Sequence, residues 1–381
     1  MKKLIAILVV FAMVATVAFA ETTVSGAVEV RWTIAGGNSG DNTDVVTAGE
    51  IYAGTVGFSG ANDDGTFGGR LQFVFEGASG PNYNTPVGNI KWDHAYAWWQ
   101  PIEQVRFFLG QDGDGMFNTA NLSRWGHHRM PRGVSVENWD AGNYLIGNWD
   151  NFGMALIIKP IDGLAINLAT IIPGVNSGNF PGSASAATAV HGTGVEGDIL
   201  TGVEHEDWFK SLQAQVSYAL DGVGTFYLTY RGEYNRDPGN RLGLTYFANS
   251  LVDGLQFEVG GNYDLADNAL NPLRIGVGVH FGMDAFGIRF RAFMNPREAV
   301  SGDWLFLKMD LMPFYTFDFG TIYCNIRVET RVDEKINFHI NPYFRFAMGG
   351  GDFRVGLLVA GNTVDNSVVT WRLPISMLVA F

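Results

Sequence analysis

VVTWRLPISMLVAF, residues 368–381, is the stretch whose reading decides the fold. Val369, Trp371, Leu373, Ile375, Met377, Val379 and Phe381 occupy every second position, with Thr370, Arg372 and Ser376 between them. Side chains alternate faces along a strand, so a period of two predicts one wholly apolar face and one polar face. Such a face can meet a protein core or lipid, and the other end of the chain discriminates between them.

Residues 1–20 read as a secretory signal peptide. Lys2 and Lys3 form the basic start, Leu4 to Phe19 the apolar centre, and Ala18-Phe19-Ala20 the small-residue cleavage site before Glu21. The apolar run of about 16 residues is short for a membrane helix, and no second long run follows it. An exported chain that belongs in a membrane must then span it as a closed barrel, because lipid offers no partners for open backbone groups. The sequence is therefore divided into a signal peptide, 1–20, and one transmembrane β-barrel domain, 21–381.

Eighteen amphipathic stretches run along the rest of the chain, near 22–34, 49–59, 66–76, 90–99, 103–110, 152–159, 164–172, 208–220, 224–234, 241–249, 255–264, 273–281, 287–295, 304–316, 321–330, 336–346, 353–361 and 368–381. In the first, Val24, Val28, Val30, Trp32 and Ile34 oppose Ser25, Glu29, Arg31 and Thr33. Most approach the roughly 9–11 residues of a tilted membrane strand, longer than the roughly 5–6 of an ordinary soluble sheet. Short links follow even-numbered stretches, and the longest links, 111–151 and 173–207, follow the fifth and seventh. That alternation predicts an all-β antiparallel barrel of about 18 strands with short turns at one end and long loops at the other. Sixteen is the alternative count, and residues 143–149 offer one further candidate strand.

Composition narrows the function. Removal of Lys2 and Lys3 with the leader leaves 23 basic against 38 acidic residues, a net charge of −15. This argues against a nucleic-acid partner, which favours a basic surface. Cys324 is the only cysteine and falls in the apolar phase beside Ile322 and Ile326, which suits a small hydrophobe. The seven histidines are scattered, with no HExxH and no GxSxG, so no enzyme is expected. His94 reads as an outward residue between Trp92 and Tyr96, in an aromatic girdle. Asp112-Gly113-Asp114-Gly115 lacks the rest of a calcium loop, and His127-His128 lacks a third ligand, so neither metal nor cofactor is expected.

The leader, the amphipathic strands across 22–381 and a last strand ending on Phe381 resemble the outer-membrane porins, general or substrate-specific. The resemblance implies a water-filled channel in the cell outer membrane and a homotrimer. In that family the terminal aromatic strand, carrying Trp371, Val379 and Phe381 here, is the signal read by the barrel-assembly machinery. Arg106-Phe107-Phe108-Leu109-Gly110-Gln111 before a long loop also resembles the fifth strand and third loop of porins, where the loop folds into the lumen and narrows it.

Charge is sorted by strand phase. The polar phase carries Arg31, Arg70, Lys91, Arg106, Arg231, Arg241, Arg274, Arg289, Arg291, Lys308, Arg327, Arg345, Arg354 and Arg372. Against these fourteen stand eight acids: Glu29, Glu50, Glu76, Asp93, Glu233, Glu258, Asp310 and Glu329. The candidate constriction loop adds Arg124, His127, His128, Arg129 and Arg132, then Glu137 and Asp140. Charges lining a low-dielectric pore select ions. The expected function is therefore passive diffusion of small hydrophilic solutes with a weak preference for anions. Two alternatives stand beside it. Trp125, Trp139 and Trp149 suit a sugar-specific channel, since aromatic faces stack on sugar rings. A surface or adhesive barrel would instead bind a partner through its outer loops.

Overall fold

The computed structural model describes residues 21–38, 48–76, 90–112, 152–171, 212–232, 240–265, 273–295, 306–330, 336–363 and 369–381. The signal peptide, residues 143–149 and the long links fall outside them. The described strands are β1 (Glu21–Asn38), β2 (Ala48–Ala61), β3 (Phe67–Glu76), β4 (Ile90–Ile102), β5 (Val105–Asp112) and β6 (Phe152–Ile161). There follow β7 (Leu164–Ile171), β8 (Leu212–Leu220), β9 (Gly224–Gly232), β10 (Asn240–Val252), β11 (Leu255–Asp264) and β12 (Leu273–Met283). The last are β13 (Phe286–Asn295), β14 (Phe306–Phe317), β15 (Gly320–Thr330), β16 (Ile336–Met348), β17 (Gly351–Gly356), β18 (Leu358–Asn362) and β19 (Thr370–Ala380).

All pair antiparallel with their neighbours, and β1 pairs with both β2 and β19, so the sheet closes on itself. Both β17 and β18 lie between β16 and β19 in one unbroken register, which makes them halves of a single stave. The wall thus has eighteen staves and no free edge. The interruption at Leu357 has a local cause. Leu357 N–H donates to the Pro342 carbonyl at 2.9 Å, but proline has no N–H to return. The Asn341 side-chain amide donates to the Leu357 carbonyl at 3.1 Å instead.

Every link from an even to an odd stave up to β17 is a turn of two to five residues, as the alternation predicts. Gly254 in the β10–β11 turn has φ 74°, and a Cβ there would sit 2.1 Å from the Gly282 carbonyl oxygen. No other residue fits that approach.

Burial is inside-out around the ring. Glu29, Asn167, Gln215, Glu258, Arg291, Asp310, Arg327 and Asp352 are buried, while Val24, Trp32, Leu109, Leu228 and Leu244 are exposed. A water-soluble domain does the reverse. In a closed sheet with period-two side chains, this pattern places polar groups in the interior and an apolar band on the outer face. An arginine at Leu244, 62 % exposed on mid-strand β10, is expected to cost about 2–4 kcal/mol of unfolding free energy in lipid. The inward neighbour Thr245 should accept asparagine far better. Equal tolerance at the two positions, measured by denaturant unfolding in vesicles, would refute the assignment of faces.

One phase assignment from the sequence is corrected. Gln72 pairs with His94 but Phe73 pairs with Trp92, so Asp93 is an extra residue bulged out of β4. A bulge shifts the alternation by one. His94 is therefore buried on the inner face, contrary to the outward reading, and Tyr96 and Trp98 lie on the inner phase with it.

Candidate functional site: the inner wall

Among the described residues the largest group of arginines in the interior lies on β13–β17. Cross-strand pairing brings Arg291, Asp310 and Arg327 into one row across three staves. Asp310 accepts from Arg291 Nη2 at 2.5 Å and from Arg327 Nε at 2.8 Å. A second group repeats the arrangement nearer the short turns, where Asp352 accepts from Arg345 Nε at 3.0 Å and Arg354 Nη2 at 2.7 Å. Each group contains two guanidiniums and one carboxylate, a net positive charge held by charge-assisted hydrogen bonds.

Between the two groups lies a row of rings. Phe314, Tyr323, Tyr343 and Gly356 are successive cross-strand partners. Tyr323 and Tyr343 stack at 4.9 Å, and the Arg289 guanidinium lies 5.2 Å from the Phe314 centroid. With Met312 they form a buried apolar cluster on the inner face. Gly356 is required here, because a Cβ would fall 2.7 Å from the Tyr343 side chain.

Stave β8 lies nine staves from β17, on the opposite side of the ring, and it is uncharged through its middle. Asn167 Nδ2 donates to Gln215 Oε1 at 3.4 Å, and Gln215 Nε2 to Thr229 Oγ1 at 3.3 Å. Gln213, Ser217 and Thr245 extend this buried neutral strip. Among the described residues, the arginines that share buried carboxylates thus face a strip of buried amides and hydroxyls.

A third patch follows from the bulge in β4. Trp98 pairs with Phe108 on β5, and the Tyr96 and Phe108 rings are 5.8 Å apart. The Arg106 guanidinium sits 4.6 Å over the Trp98 ring. Its Nε donates to Gln100 Oε1 at 2.8 Å, and Nη2 donates to the same oxygen.

The short-turn rim is acidic. Asp63, Asp64, Glu103, Asp162, Asp221, Asp253, Asp284 and Asp318 are exposed in seven of the eight short turns, none of which contains Lys or Arg. The Thr66 hydroxyl and backbone N–H both donate to Asp64 and hold its carboxyl below the ordinary range.

Of the residues singled out from the sequence, Arg289, Arg291 and Arg327 come together on β13–β15. Arg70, which donates to Gln72 Oε1, and Arg106 lie across the ring on β3 and β5. Arg372 lies on β19 opposite Leu358, and Arg31 pairs in register with Ser376 of the same strand. Arg124, His127, His128, Arg129, Arg132, Glu137 and Asp140 lie outside the described residues, as do Trp125, Trp139 and Trp149. Trp371 and Val379 point outward on β19, and Phe381 continues it. Sequence reasoning missed Asp352, which precedes the stretch assigned at 353–361. It also missed Asp264, opposite Arg241, and Asp112, opposite His94. Among the described residues no three His, Cys, Asp or Glu side chains come together.

No family model matches the sequence, and no curated protein matches it. Solved porin barrels match the fold. Pseudomonas aeruginosa OccK2 (OpdF) aligns over 96 % of this chain and 99 % of its own, with TM-score 0.58 and 10 % identity. Acinetobacter baumannii OccAB4 covers 95 % and 99 %, with TM-score 0.55 and 8 % identity. Pseudomonas aeruginosa OpdK, solved with vanillate, covers 94 % and 99 %, with TM-score 0.54 and 9 % identity. The chain has the fold of these barrels.

Proposed function

We propose that the chain is an outer-membrane porin, a passive channel that catalyses nothing and lets small hydrophilic solutes cross a wet lumen. One observation carries this reading: a closed ring of eighteen staves that buries glutamate, arginine and glutamine inside while exposing valine, leucine and tryptophan outside. Only lipid outside and water inside make that arrangement favourable. The short turns then face the periplasm and the long links the exterior. The terminal strand is what the assembly machinery would read. The arginine groups on β13–β17 give the pore a weak preference for anions.

Single-channel recording of the refolded chain in a planar bilayer tests both parts. Discrete conductance steps are expected, with reversal potentials across a KCl gradient reporting anion selectivity. The preference should fade towards 1 M salt, where the screening length falls to about 3 Å. An absence of steps refutes the channel, and a cation preference refutes the charge assignment. Replacing Arg124, Arg129 and Arg132 together with glutamate should reverse the selectivity if the third loop folds inward, and should leave it unchanged if the loop stays outside.

A further inference from the structure

The outer wall is grooved on β3–β8. Two rows of outward side chains cross these staves, each built of cross-strand partners. The lower row is Phe67, Trp99, Phe107, Leu156 and Leu168. The upper row runs through Ala97, Leu109 and Met154, then by way of Thr170 to Leu212. Between them the floor is the backbone of Trp98, Phe108, Ala155 and Ala169, whose side chains belong to the inner phase. The space enclosed is about 580 Å³. Trp99 and Phe107 stack at 5.6 Å with their planes 20° apart, and together they make one flat flank. Ala97, across the floor from them, is too short to close the groove.

The groove is oblique. Phe67 directly follows the short β2–β3 turn, whereas Leu212 begins β8, eight residues from the short-turn end of that strand at Leu220. Five inter-strand steps of about 4.8 Å give a length of roughly 24 Å. With strands tilted by about 40°, the groove rises roughly 15 Å, half of a hydrocarbon core about 30 Å thick. It starts at the short-turn rim and ends near the midplane, the span of one acyl chain in one leaflet. Elsewhere an outward side chain meets a lipid tail on one side only. A tail laid here has apolar atoms beneath it and along both flanks, and the dispersion contacts sum.

The lower end opens on a rim of mixed charge. Asp63 and Asp64 are exposed in the β2–β3 turn and Glu103 in the β4–β5 turn. The Gln100 N–H donates to the Thr66 carbonyl at 2.7 Å and holds these two turns side by side. One stave further on, Lys159 is exposed, and its backbone N–H donates to the Gln104 carbonyl at 2.8 Å. Three carboxylates and one ammonium suit a headgroup that is itself zwitterionic. A headgroup carrying only a phosphate meets net repulsion.

We propose that the groove on β3–β8 holds one acyl chain of a phosphatidylethanolamine from the short-turn leaflet, with its ammonium at Asp63, Asp64 and Glu103 and its phosphate towards Lys159. A primary ammonium donates up to three hydrogen bonds to carboxylates, which a quaternary choline group cannot do. The site rests on the membrane-barrel part of the porin reading, since it needs lipid at the outer wall, and it adds a lipid partner that this reading does not name.

The test is native mass spectrometry of the refolded full chain, taken from micelles with equal phosphatidylethanolamine, phosphatidylglycerol and phosphatidylcholine. One bound phosphatidylethanolamine per chain is expected, retained roughly fivefold over either competitor, about what two exposed ion pairs supply. Ala97→Trp should abolish retention by filling the groove. Leu244→Trp, outward on β10 and away from the groove, should not. Neutralising the rim with Asp63→Asn, Asp64→Asn and Glu103→Gln together should keep a lipid bound and erase the headgroup preference. Heat-modifiability and KCl conductance show that each variant is a folded pore. A conducting barrel that retains no lipid, retains all three equally, or ignores Ala97→Trp overturns the lipid site alone. A barrel that retains phosphatidylethanolamine but never conducts overturns the channel and supports the site. A chain that forms no barrel in lipid overturns both.

Discussion

Deleting Val379 to Phe381 is expected to leave exported chain that never closes into a barrel. The seam between the first and last staves is sealed at its end by that residue. Gly26 N–H donates to the Phe381 carbonyl at 2.8 Å, and Phe381 N–H donates to the Gly26 carbonyl at 2.9 Å. The Phe381 ring also fills the space over Gly26, where a Cβ would lie 2.4 Å from it. Gly26 is the one small residue in an outward run of Val24, Val28, Val30, Trp32 and Ile34. A bare site on a strand thus receives an aromatic ring from its neighbour. Gly26→Val should therefore reproduce the deletion from the opposite side of the seam with the terminal phenylalanine intact. Near-complete loss of heat-modifiable, protease-resistant protein from the membrane fraction is expected for both. Normal amounts of folded barrel in either variant would show that the seam does not depend on this contact.

Asp310→Ala is expected to be the most damaging single change in the interior. It leaves Arg291 and Arg327, both buried, without the carboxylate they share. Removing one side of a buried ion pair costs about 3–5 kcal/mol, because the remaining charges stay desolvated. Removing Arg291 as well should recover part of that loss, since one fewer guanidinium is then left uncompensated. Denaturant unfolding in detergent or vesicles measures both variants. A loss below about 1 kcal/mol for Asp310→Ala would mean that water in the lumen solvates the two arginines, as it does an exposed pair.

The staves were legible because period two is written directly in residue order. Val24 to Ile34 and Val369 to Phe381 carry large apolar residues at nearly every second position, and most of these are exposed. The closed ring of eighteen followed from link lengths, since a barrel returns to its starting side only with an even count. The interior was less legible. Alternation counts residues, and it fails wherever a strand carries one too many. Asp93 does so in β4, and it moved His94 to the other face. Asp352 was missed because the Gly349-Gly350 turn gives no alternation from which to date the start of β17. Which arginine meets which aspartate depends on register between staves, and register is a relation between distant segments. Arg291 and Arg345 look alike in the sequence, yet one shares Asp310 and the other Asp352.

The acids of the short turns have a consequence that precedes any pore. A chain exported unfolded meets water before it meets lipid, and every stave then shows an apolar face and two unpaired edges. Such segments stick to one another. Asp162, Asp221, Asp253, Asp284 and Asp318 sit at the tips of successive hairpins, with no base in the same turns. Tips bearing the same sign repel once they approach within about 8–10 Å of each other. In a chain that reaches its membrane unfolded, such turns are expected to oppose clumping of hairpins until a bilayer receives them.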